Sequence, residues 1–191
     1  GKIYELTMTR DYVSGWGVQE AMREIIQNAM DNGGGMDVSM EPDWSGLVTV
    51  RVRSEGGRLP IRSLLLGATT KAQDDSKIGS FGEGYKLAML VLLRCGKGVC
   101  INNADQVWTP RFQASENFAG EEVLCIGVVE AAQDIGAVEF VVSALTEEEA
   151  EAVKGIALPL QAPDPEAIQT SMGTILPGHP GRLLVGGLFV C

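Results

Sequence analysis

Residues 18–31, VQEAMREIIQNAMD, are the first strongly periodic segment of the chain. Apolar side chains recur there every three or four positions, which predicts an amphipathic helix with one buried stripe: Val18, Met22, Ile25, Ile26 and Ala29. The run of residues 32–35, NGGG, ends this helix, because glycine readily adopts the left-handed conformation found at helix carboxyl ends.

The polar side of this predicted helix carries Glu24, Asn28 and Asp31. At about 100° per residue, these three side chains fall within an arc of roughly 60°, opposite the apolar stripe. Such an arc is typical of a solvated face. A carboxylate and a carboxamide one turn apart are also suited to a hard cation, and magnesium needs only one or two protein oxygens when substrate phosphates supply others.

A glycine-rich segment, residues 79–86 with the sequence GSFGEGYK, precedes an apolar helix predicted over residues 87–93. Glycines let the backbone approach a ligand closely, and a helix amino end presents unpaired N–H groups to phosphates. The alternative is a tight loop that caps a buried helix. A P-loop is excluded, because Tyr85 stands where that motif requires lysine.

The rest of the chain reads mainly as strands. Alternating or β-branched segments predict strands at residues 47–53, 99–102, 107–112, 123–130 and 137–143. Thr146 and Glu149 form a capping box that opens a short helix ending at Gly155. Two final strands, residues 173–176 and 183–190, are expected to be joined by the turn at 177–181.

Composition restricts the class of protein. The 191 residues fit one domain, expected to be part of a longer protein, and 45% hydrophobic content is enough for a core. A net charge of −10 argues against a nucleic-acid-binding surface, although it allows a local anion site. No apolar run approaches the roughly 20 residues of a membrane span. Four cysteines without a Cys-x-x-Cys pair favour free thiols and a cytoplasmic location.

Three motifs in order resemble those of the GHKL superfamily, which includes gyrase B, heat-shock chaperones, histidine kinases and MutL. Residues 24–31, EIIQNAMD, resemble its N-box. Residues 66–71, LGATTK, with residues 78–86, IGSFGEGYK, look like its lid and glycine box, nearest to the chaperone and MORC-like forms. Residues 173–175, GTI, resemble its late Gly-Thr motif.

The resemblance implies the Bergerat fold, an α+β two-layer sandwich with a mixed, largely antiparallel sheet and helices on one face. It implies that Glu24 is the general base and that Asn28 binds magnesium, with ATP held between the sheet-backed helices and a mobile lid. Asp31 lies on the same face and would organise the pocket. The remaining implied nucleotide-binding residues are Ser54, Glu55, Gly56, Thr70, Lys71, Gly79, Phe81, Gly82, Gly84, Tyr85, Lys86 and Thr174. For Lys71 and Lys86 the alternative is that both are solvated surface lysines without a role in nucleotide binding.

One motif departs from the family pattern. The family usually has Asp-x-Gly-x-Gly, whose Asp reads the adenine amino group, whereas this chain has Ser54 at the Asp position and Arg58 at the second Gly. Ser54 can accept one hydrogen bond but carries no charge, and Glu55 can substitute only if the turn is re-registered. An unpaired base edge would cost about 1–3 kcal/mol, so the departure weakens the expectation of tight adenine binding.

The sequence therefore predicts magnesium-dependent ATP binding and slow hydrolysis by a conformational switch. ATP would order the lid and change contacts with a partner domain or a second copy. Two alternatives stay open. One is a phosphotransferase resembling histidine kinases. Against it, the sequence shows no helix that carries a phosphorylatable histidine, since His179 is in a predicted turn. A binding module without hydrolysis is favoured by Ser54 and disfavoured by Glu24.

Overall fold

The computed structural model describes residues 1–32, 34–66 and 83–190. It contains three α-helices, α1 (Val18–Asp31), α2 (Gly84–Arg94) and α3 (Glu147–Lys154), with 3₁₀ turns at Ile61–Leu64 and Leu158–Leu160. Within those ranges, no helix has both the length and the apolar character that crossing a membrane requires. The helix predicted over residues 18–31 is confirmed, and the one expected over 87–93 begins one turn earlier, at Gly84.

Seven strands form the main sheet: β1 (Lys2–Thr9), β2 (Met36–Pro42), β3 (Val48–Glu55), β4 (Gly98–Asn103), β5 (Gln106–Ala114), β6 (Glu122–Glu130) and β7 (Ala137–Leu145). Their order across the sheet is β1-β6-β5-β4-β7-β3-β2. Each neighbouring pair is antiparallel. The expected largely antiparallel sheet is therefore confirmed, while its expected mixed character is wrong for the strands that the structure describes.

The three helices and one face of the sheet share a single hydrophobic core. Paired positions on four neighbouring strands bring Val52, Phe140, Ile101 and Trp108 into one buried row. The opposite face is polar, and there Arg51 lies between the carboxylates of Glu41, at 3.9 Å, and Glu139, at 3.7 Å. This one-sided burial gives the α+β sandwich that the sequence predicts.

Side-chain caps define where α3 begins. The Glu149 amide donates to Thr146 Oγ1 at 3.1 Å, and the Thr146 amide donates to Glu149 Oε2 at 2.8 Å. This is the predicted capping box, and a cap of this kind stabilises a helix by about 1 kcal/mol.

The carboxyl-terminal strands pair differently from the prediction. Strands β8 (Ile168–Thr170) and β9 (Gly173–Ile175) form one hairpin, and β10 (Leu184–Val185) and β11 (Leu188–Phe189) form another. The pairing expected across residues 177–181 is therefore wrong. Gly186 and Gly187 both have positive φ, 58° and 83°, which allows the tight two-residue turn that folds β11 back on β10.

Candidate functional site

Helices α1 and α2 meet at Glu24 and Gly84. A β-carbon placed on Gly84, the first residue of α2, would lie 2.2 Å from Glu24 Oε2 and 3.2 Å from Glu24 Cδ. Any side chain at position 84 would therefore displace the Glu24 carboxylate. The absence of a side chain lets the backbone of the first turn of α2 lie directly against this carboxylate.

Glu24 lies in a partly desolvated position, with 23% of its side chain exposed. Burial raises the pKa of this carboxyl group, and the nearby Arg23 guanidinium partly opposes the shift. Arg23 Nη1 lies 4.0 Å from Glu24 Oε1, and Arg23 Nε donates to the Phe189 carbonyl at 3.4 Å. A carboxylate whose pKa is closer to neutrality is a better proton acceptor for general-base chemistry.

Asn28 lies one helical turn beyond Glu24, and its buried side-chain oxygen has no partner in the part of the chain that the structure describes. Among the described residues, Asn28 Oδ1 is the one buried side-chain polar atom that makes no hydrogen bond. Leaving such an atom unpaired costs about 1–3 kcal/mol, so its persistence points to a ligand. Asp31, the last residue of α1, is half-buried on the same side.

The amino end of α2 lies beside Glu24. Its N-cap residue is Glu83, and the described residues provide no side-chain cap for its first turn. The first N–H groups of a helix have no intrahelical partner, and together with the helix dipole they attract negative charge. Because Glu24 lies beside this end, an anion bound there would be in contact with a candidate general base.

Tyr85 and Lys86 follow Gly84 but point into the protein. The Tyr85 hydroxyl and Ser63 Oγ are 2.7 Å apart, and burial raises the pKa of Tyr85 to about 12. Lys86 is fully buried and donates from Nζ to the Leu65 carbonyl at 2.9 Å and to Glu83 Oε1 at 3.3 Å. Both side chains hold the 3₁₀ turn and residue 65 against α2. These contacts are structural, whereas the sequence predicted that Tyr85 and Lys86 bind the nucleotide.

The carboxyl end of α1 lies against the end of β3, where the departing motif begins. Asn32 Nδ2 donates to Ser54 Oγ at 3.1 Å, and Ser54 is only 2% exposed. Glu55 is exposed and pairs with Arg53, whose hydrogen bond lowers the pKa of Glu55. Gly56 has a φ of 67°, as a turn at this point requires. The structure therefore brings Ser54, and not Glu55, to the end of α1.

Asn32, which the sequence predicts only as a residue that ends the first helix, also belongs to this region. Its signal was present, since Glu24, Asn28 and Asn32 follow one another at intervals of four. We call these three residues the polar row. Successive members of such a row are about 6 Å apart along the helix axis.

The structure does not bring Thr174 into the main sheet. Thr174 is exposed in the β8–β9 hairpin, where its hydroxyl donates to Gln169 Oε1 at 2.8 Å. Five other predicted site residues lie outside the described residues: Thr70, Lys71, Gly79, Phe81 and Gly82.

No protein-family model matches the chain, and no curated protein matches it either. A functional assignment therefore depends on the geometry of α1, α2 and β3.

Proposed function

We propose that this chain is a magnesium-dependent ATP-binding domain of the GHKL type that hydrolyses ATP slowly and acts as a nucleotide-driven switch. The observation that carries the proposal is the contact between the Glu24 carboxylate and the backbone of Gly84. It brings together the two motifs whose order in the sequence resembles that family.

In this proposal the amino end of α2 holds the terminal phosphates of ATP and Glu24 acts on the attacking water. Phosphoryl transfer depends mainly on positioning the nucleophile and stabilising charge. The N–H groups of the first turn of α2, which no described side chain caps, would supply the stabilisation. Glu24, with its pKa raised by burial, orients the water and accepts its proton.

Asn28 fits the magnesium site that this function requires. Its buried Oδ1 is a hard, uncharged oxygen that accepts no hydrogen bond from the described residues, which suits a hard cation. Magnesium usually takes one or two protein ligands and completes its shell with waters and phosphates, so Asn28 suffices as the direct ligand. The metal would neutralise charge on the phosphates when bound.

The position of Lys86 bears on the expected rate of ATP hydrolysis. Its ammonium group is bonded to Leu65 and Glu83, and burial lowers its pKa. We therefore assign Lys86 a positioning role and leave Lys71 as the lysine predicted to meet phosphates. A site that depends on backbone N–H groups and one metal, with Lys86 turned away, supports slow turnover. Lys86 joins Leu65, which precedes the predicted lid, to Glu83, which follows it. This link supports a switch in which the lid is coupled to α2 and, through it, to a partner domain or a second copy.

Replacing Glu24 by glutamine tests the proposal. The variant should bind ATP with magnesium within about threefold of the wild-type affinity, because the shape of the site is kept, but should release no phosphate above background. Glu130→Gln, at the exposed end of β6, is the matched control and should hydrolyse ATP normally. Unchanged hydrolysis in Glu24→Gln contradicts the assigned role. Phosphate found on a protein side chain would favour a phosphotransferase instead.

A further inference from the structure

The polar row of α1 gives a bound nucleotide a direction. Glu24 lies at the amino end of α2, and Asn32 lies about 12 Å further along the helix axis, beside the end of β3. Each step of four residues turns the row by only about 40°, so all three side chains stay on one side of α1. With phosphates at Glu24 and Gly84, the base of an extended nucleotide comes to Asn32 and Ser54.

One hydrogen bond fixes the carboxamide of Asn32. Its Nδ2 donates to the buried Ser54 hydroxyl at 3.1 Å, so the amide nitrogen faces the protein. No donor among the described residues occupies Asn32 Oδ1, which is left to accept from a ligand. A β-carbon on Gly57 would lie 3.4 Å from Asn32 Nδ2, so glycine leaves room for the amide in this orientation.

Resting on the function proposed above, we infer that Asn32 accepts a hydrogen bond from the exocyclic amino group of adenine and that Ser54 positions its carboxamide. The acceptor that the family takes from an aspartate is then supplied by α1 and not by β3. A keto oxygen at the same place on the base, as in hypoxanthine, would face Oδ1 acceptor to acceptor and leave both groups unpaired.

ADP and inosine diphosphate test this assignment, because they share ribose and phosphates and differ only in the exocyclic group at C6 and in the proton that N1 of hypoxanthine carries. Calorimetry with magnesium on the wild-type chain should show that ADP binds at least about tenfold more tightly than inosine diphosphate. In Asn32→Ala, the affinity for ADP should fall to that for inosine diphosphate. The affinity for inosine diphosphate should differ from its wild-type value by less than about threefold. Asn102→Ala, on the polar face of the sheet, is the matched control and should keep the ratio.

Ser54 is tested by the same ratio. Ser54→Ala frees the amide to rotate, so the preference for ADP should shrink while the affinity for inorganic tripolyphosphate stays unchanged. Ser54→Thr keeps the hydroxyl and should restore the preference. These variants also serve if Asn32→Ala disturbs the end of α1, where Asn32 is the C-cap residue.

The outcomes separate this inference from the function on which it rests. Equal binding of both diphosphates to the wild type, or a preference that survives in Asn32→Ala and Ser54→Ala, overturns the role of Asn32 and leaves ATP binding intact. A preference for inosine diphosphate overturns it as well, since Asn32 would then present a donor. Failure of both diphosphates and tripolyphosphate to bind overturns the inference and the proposed function together.

Discussion

Replacing Gly84 by alanine should slow the proposed hydrolysis about 100-fold without weakening the fold. The added β-carbon would lie 2.2 Å from Glu24 Oε2, whereas a tolerated contact between these atoms is at least about 3.2 Å. The nearest atoms belong to the end of a flexible side chain, so Glu24 can retreat. We therefore expect the carboxylate to move by about 1 Å, with little movement of either helix backbone.

The size of the effect follows from this displacement. A misplacement of about 1 Å in a catalytic group typically lowers the rate about 100-fold, and that is the loss expected in single-turnover phosphate release. ATP affinity measured by calorimetry should change less than about threefold, because the N–H groups of α2 remain. Alanine is a better helix former than glycine by up to about 1 kcal/mol, so the melting temperature should hold or rise.

Gly127→Ala provides the matched control. A β-carbon on Gly127, in β6, would lie 3.6 Å from the Thr109 carbonyl oxygen, which is an ordinary contact, so hydrolysis should be unaffected. Wild-type turnover in Gly84→Ala would refute the reasoning, because Glu24 would then act without the close approach of α2. A loss of both folding and binding would also refute it, since the clash would have been relieved by the backbone.

Four further predictions follow from the same structure. Because the folded state raises the pKa of Glu24, the ionised carboxylate destabilises the fold. Glu24→Gln should therefore melt at a higher temperature than wild type above the raised pKa, and the difference should vanish as the pH falls below the ordinary pKa of a glutamate. For the same reason, wild-type turnover should fall as the pH drops through the raised pKa, which a pH–rate profile measures. Asn28→Ala should abolish the magnesium dependence of ATP binding in calorimetry without lowering stability, since it removes an unpaired buried oxygen. Asn103→Leu should cost about 1–3 kcal/mol for each Leu59 backbone group it leaves unpaired, measured by urea unfolding with Asn102→Leu as control.

Long periodic segments were predictable from the sequence, because burial on one side imposes a clear period. Helix α1 and strands β3 to β7 have this property, and the capping box of α3 is a local signal that needs no tertiary contact. The edge strands β1 and β2 were missed, although Met36, Val38 and Met40 alternate with polar residues in β2. Half-buried edge positions give a weaker contrast between the two faces.

The candidate site was predictable only in part. Glu24, Asn28 and Gly84 were predicted because their motifs are local in sequence, and the structure brings Glu24 and Gly84 into contact. The inward orientation of the Lys86 side chain was not predictable, since it depends on a hydrogen bond to the Leu65 carbonyl, which lies 21 residues away in the sequence. The hydrogen bond from Asn32 to Ser54 joins α1 to β3, and no local pattern specifies it.

Calorimetric titration of the wild-type chain with a non-hydrolysable ATP analogue, with and without magnesium, tests the central claim most directly. The geometry of Glu24, Asn28 and Gly84 predicts saturable binding at one site that weakens at least about tenfold when magnesium is removed, and that loses this dependence in Asn28→Ala. Absence of binding, or binding of equal strength with and without the metal, would contradict it.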